Sequence, residues 1–131
     1  MEQSLSKYLK YFKTLNRGFN KGLGRAPHKP ILLLSIIQHF KNKLITSNKI
    51  TITPQLLATF NSNFKYLVQT NHTPNFALPF FHLNHEPFWK LVTKPGLELV
   101  LTKSKSIKSF KSLNTTIAYA EIDKELYQLL M

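Results

Sequence analysis

Apolar positions along the first third of the chain recur at helical spacing. Leu5, Tyr8, Leu9, Phe12 and Leu15 predict an amphipathic helix from about Glu2 to Leu15, stopping near Asn16-Arg17-Gly18. Ile31, Leu32, Leu33, Leu34, Ile36, Ile37 and Phe40 follow, apolar nearly all round the helix axis. That is the signature of a buried central helix, here opened by Pro27 and Pro30 and running to about Lys43. Leu56, Leu57, Phe60, Phe64 and Leu67 predict a third helix, with Thr53 as cap and Pro54 in its first turn.

Beyond these helices the period shortens. Leu44-Ile45 and Lys49 to Ile52 suggest short strands around a Ser47-Asn48 turn. Ala77 to Leu83 and Phe88 to Thr93 read as a β-hairpin turning at Asn84-His85-Glu86-Pro87, and Leu97 to Leu101 as a further strand. Asn114 to Glu121 fits either helix or strand. Asp123 stands as cap to a last helix carrying Leu126, Tyr127, Leu129 and Leu130. The expected fold is α+β and mostly helical: one compact domain over residues 1–131, with small hairpins and a winged-helix-like arrangement.

Charge changes the picture more than composition does. The 131 residues carry 18 Lys and Arg against 6 Asp and Glu, a formal net charge of +12. Between Glu2 and Glu86 there is no carboxylate at all. Positive charge of this density repels itself in a folded domain, and a polyanion relieves it, so nucleic acid is the expected partner. Arg17 to Lys29 form a glycine-rich basic loop with Arg17, Lys21, Arg25 and Lys29 interleaved among Gly18, Gly22 and Gly24. The loop lacks the Walker pattern for nucleotide phosphates. His28 and Lys29 sit where the second helix begins, a natural place for phosphate.

Other chemistry is scarce. The absence of Cys excludes disulfides and thiolate zinc sites. So few acids leave no carboxylate pair for general acid–base catalysis. His82 and His85 flank Asn84 without an arranged carboxylate, so no metal and no cofactor is expected. Trp89 reads as a core anchor. Lys103, Ser104, Lys105 and Lys108, with Lys111 beyond, would form a basic, hydroxyl-bearing face for DNA backbone or bases. No apolar run approaches the roughly 20 residues that span a bilayer, and no signal peptide opens the chain, so a cytoplasmic protein without membrane contact is expected.

Several segments resemble one family in order and spacing. They are Gly24-Arg25-Ala26-Pro27-His28-Lys29-Pro30 ahead of the leucine run, and Asn48-Lys49-Ile50 with Thr53-Pro54-Gln55-Leu56. Leu78-Pro79-Phe80-Phe81-His82-Leu83 with Phe88-Trp89-Lys90-Leu91, and Ala118 to Leu126, complete the set. Together they resemble the N-terminal sulfur-binding domain of HNH-type, modification-dependent (type IV) restriction endonucleases. The resemblance implies binding of double-stranded, phosphorothioate-modified DNA by a domain that is not itself an enzyme. It implies too that an HNH nuclease domain normally follows; this chain ends at Met131 without one.

A phosphorothioate replaces one non-bridging oxygen by sulfur, which is larger, more polarisable and a poorer hydrogen-bond acceptor. A selective pocket is therefore apolar on the sulfur side and cationic around the remaining oxygens, because an apolar wall penalises the better-hydrated oxygen. By resemblance, Leu78, Pro79, Phe80 and Phe81 supply the wall, Arg25, His28 and Lys29 hold the remaining oxygens, and His82 belongs to the same sulfur- and phosphate-binding site. The family often has an aromatic where Leu78 stands and an arginine where Lys29 stands. Whichever of Phe80 and Phe81 faces inward belongs to the core by alternation. Read without the resemblance, the residues equally allow a general duplex binder that reads another modification or a base sequence.

Overall fold

A computed structural model describes residues 2–103 and 106–131. Among them it has seven α-helices and two small antiparallel sheets. The helices are α1 (Glu2–Lys13), α2 (His28–Lys41), α3 (Pro54–Leu67), α4 (Ala77–His82), α5 (Glu98–Lys103), α6 (Phe110–Thr116) and α7 (Lys124–Leu130). The strands β1 (Phe19–Asn20) and β2 (Gly24–Arg25) form a hairpin, and β3 (Lys49–Thr51), β4 (Trp89–Thr93) and β5 (Ile117–Ile122) form a sheet in the order β3-β5-β4. The mostly helical α+β reading holds.

The helices read from periodicity start where their punctuation says they should. Thr53 Oγ1 accepts from Leu56 N at 3.1 Å, satisfying one free donor of the first turn of α3. The apolar girth of α2 is covered by α3, α4 and α7, and Leu32 and Ser35 are fully buried within it. Ser35 tolerates burial because its hydroxyl donates to Ile31 O at 2.8 Å.

Five local expectations are corrected. Residues 77–82 are a helix rather than a strand, so no hairpin spans 77–93. Asn75 Oδ1 accepts from Leu78 N at 3.1 Å and Pro79 sits in the first turn; both favour a helix start over an extended run. Leu83–His85 continues as a 3-10 turn instead of a β-turn. Residues 98–103 are helical, in keeping with a leucine-rich segment that opens on Glu98. Leu44 and Ile45 form no strand. Asp123 stands at the cap position of α7, but its side chain makes no cap bond. Its carboxylate accepts instead from the buried Tyr8 hydroxyl at 2.8 Å, and burial with this bond pushes the phenol well above its usual range.

The open segment at 114–121 divides: α6 runs to Thr116 and β5 begins at Ile117. β5 is the middle strand, pairing Ile50 with Ala120 on one side and Leu91 with Ala120 on the other. These three residues are buried, and the sheet packs into the core that Phe60, Phe80, Phe88 and Trp89 share. The chain ends meet as well, since Lys7 and Ser4 of α1 both donate to Glu125 of α7.

Candidate nucleic-acid interface

Three segments remote in sequence converge on one pocket of about 400 Å³. The stretch around the β1–β2 hairpin gives it Asn16, Arg17, Gly18 and Ala26. The start of α2 gives it His28 and Lys29; α4 and the turn after it give Leu78, Pro79, His82 and His85. The hairpin is possible because Gly24 takes φ +86°, a region that other residues enter at a cost. Hairpin and loop are then pinned: Ala26 N donates to Gly18 O at 2.7 Å, and Arg17 Nε donates to Ala26 O at 2.7 Å.

The floor is apolar and poor in donors. Pro79 is almost wholly buried and has no N–H. Leu78 N is taken by Asn75 and Phe80 N by Phe76 O at 3.2 Å, so neither amide faces the pocket unsatisfied. Asn75 also donates through Nδ2 to Lys108 O at 3.0 Å, tying the floor to the segment before α6. Phe80 and Phe81 do not line the pocket. Phe80 is fully buried, stacked on Phe76 and edge-on to Trp89, and its carbonyl accepts from Trp89 Nε1 at 3.0 Å. Phe81 is buried too. The wall expected from four residues is therefore built from Leu78 and Pro79, with the two phenylalanines behind it, because a helix turns them inward where a strand would have alternated them.

The rim is basic and largely imidazole. Burial lowers the His28 pKa, helped by the neighbouring His72 charge and opposed by the bond from Nε2 to Thr73 O at 2.8 Å. Burial also lowers His82, helped by the charges of His85 and Lys29, while its Nε2 lies 2.9 Å from Ser106 Oγ. Arg17 is held below the usual guanidinium range by burial and by the charge of Arg25. Arg25 and Lys21 themselves are exposed outside the pocket, as are Lys103 and Lys108. Ser104 and Lys105 lie outside the described residues. A second, shallower groove of about 760 Å³ runs along Ser106 to Ser112, with Lys108 and Lys111 on it.

Glu86 was not anticipated at the site. Lys29, which the sequence offers as a free phosphate ligand, is buried and ion-paired to Glu86 at 2.8 Å, and donates to Asn16 O at 2.6 Å. Asn16 N donates to the same carboxylate at 3.1 Å. The partners lie too far apart in sequence for any local pattern to betray them; the only hint was a carboxylate closing a long acid-free stretch.

Among the described residues no group of three or more His, Cys, Asp and Glu is placed to hold a metal ion. Among the same described residues, no helix is long and apolar enough to cross a membrane.

The lowered histidines give a pH prediction. His39 joins His28 and His82, lowered by burial and opposed by a backbone hydrogen bond. Below the ordinary value of 6.5 the unfolded chain takes up these protons before the folded one does. Stability should thus be level above that value and fall as pH drops beneath it. Urea midpoints compared between about pH 7.5 and about pH 5, where carboxylates remain ionised, check this. A midpoint that does not move would mean the rings are as basic folded as unfolded.

The architecture is a small, mostly helical α+β fold with a pocket where the β1–β2 hairpin, α2 and α4 meet. It is similar to a solved structure of the "sulfur binding domain and SRA domain of ScoMcrA complexed with phosphorothioated DNA". The match has a TM-score of 0.65 at 19% identity over 92% of this chain, and shows a shared fold. The chain spans about a third of that protein's solved chain, 36% of its length. No protein-family model matches the chain, and no curated protein does.

Proposed function

We propose that this domain binds double-stranded DNA at a phosphorothioate, seating the sulfur on Leu78 and Pro79. The observation that carries the reading is the donor-poor floor. An ordinary phosphate oxygen entering there loses hydration and gains no hydrogen bond, whereas sulfur loses less and gains contact with polarisable apolar atoms. Arg17 and His28 at the rim hold the remaining oxygens, and Lys21, Arg25, Lys103 and Lys108 follow the backbone on either side. The fold shared with a domain solved on phosphorothioated DNA supports the same reading. The domain binds and does not cut, as the recognition part of a modification-dependent restriction endonuclease of the HNH type.

The test compares one duplex with and without a single Rp phosphorothioate at fixed salt, since salt alone moves such affinities widely. Tighter binding of the modified duplex is expected; equal affinities would leave a general duplex binder. Pro79→Ala removes two ring methylenes from the floor and should cut the preference about ten-fold while changing ordinary binding less. An unchanged preference would move the sulfur site elsewhere.

A further inference from the structure

The pocket's basic composition conceals its charge. Lys29 reaches its wall, yet the ammonium group is spent on Glu86 and Asn16 O. Both side chains of the pair are only 8% exposed. The two pocket histidines with shifted pKa values are moved toward the neutral form. An inner pocket whose only charged or titratable lining residues are basic is thus close to neutral where the ligand atom would sit, and the positive charge lies at the rim and beyond.

We infer that Glu86 is a specificity-determining residue: by neutralising Lys29 it keeps the pocket from binding ordinary phosphate. The inference rests on the phosphorothioate reading above. A full cation beside the floor attracts a compact, hard oxygen anion more strongly than a diffuse sulfur one. Released from its partner, the ammonium would supply the hydrogen bond and the charge that the floor withholds, and oxygen would gain more than sulfur. Glu86 touches no ligand in this arrangement and acts through Lys29. It also fixes Asn16, whose N–H it accepts and whose carbonyl binds the same ammonium, so that pocket wall and charge are set together.

Glu86→Gln keeps the size of the side chain and removes its charge. In the full chain, binding of the unmodified duplex at fixed salt should tighten about ten-fold, the scale of one added charge at short range in a partly wetted site. The modified duplex should gain less, so the preference for sulfur shrinks. Tighter ordinary binding is a readout that a merely structural role would not produce, since a loosened pocket weakens both. A folded Glu86→Gln protein whose ordinary affinity is unchanged or weaker overturns the inference. Lys29→Met/Glu86→Gln removes both charges, restores neutrality, and should regain the wild-type preference; its failure to do so also overturns the inference. If Glu86→Gln does not fold, this pair decides alone. Equal binding of the two duplexes by the unaltered protein would instead sink the phosphorothioate reading itself, before any variant is made.

Discussion

Phe80→Ala is expected to cost about 3–5 kcal/mol of stability, the range for emptying a large aromatic site in a packed core. The residue is fully buried. It lies 5.4 Å from the Phe76 ring and 5.2 Å from the Trp89 ring, so truncation opens a void against two faces at once. The surroundings can close that void only partly. Trp89 is held by its own bond to the Phe80 carbonyl at 3.0 Å, and β4 is fixed in register by β5. A domain of this size has about 5–15 kcal/mol in all, so the loss is a large share of the total. It should appear as a fall in thermal midpoint of more than about 10 °C. A midpoint within a few degrees of wild type would mean that α4 is not packed as described.

Leu78→Glu, only two residues away, should leave the fold intact and abolish binding. Leu78 is partly exposed and looks into the pocket, so a carboxylate there stays in contact with water. A DNA phosphate seated on it would face a like charge at about 5 Å, worth about 3 kcal/mol at an effective dielectric near 20, or at least about 100-fold in affinity. The measurement is titration of the phosphorothioate duplex, with the urea midpoint as control. Retained affinity would mean that the phosphate docks elsewhere. Opposite outcomes at positions 78 and 80 separate the wall of the pocket from what stands behind it.

That division was the part of the site that sequence could not resolve. Where a segment announces its period over several turns, as α1, α2 and α3 do, the reading reached the right element within a few residues. The run Ala77 to Leu83 is too short and too uniformly apolar for period to separate helix from strand. The deciding signs were chemical instead: an asparagine two residues ahead and a proline at the third position. β5 gives no alternation because its residues between the buried ones are themselves half covered, and a strand covered on both faces carries little polarity to read. The segments 25–29 and 78–82, which give the pocket Ala26, His28, Lys29, Leu78, Pro79 and His82, are legible as a motif, but the division of labour within them is not. Lys29 looks like a free cation until Glu86 is placed against it, and that contact exists only in three dimensions.

One consequence concerns the order in which the chain is made. The middle strand of the larger sheet is contributed by residues 117–122, after both of its neighbours. A growing chain released from the ribosome up to residue 110 has two strands separated by an unfilled gap. Each then presents a naked edge, open to mispairing with other chains. Pairings this distant in sequence also form late once the chain is free, because a long loop must close before any contact rewards it. The last of the three strands to be made is therefore the one that locks the other two together.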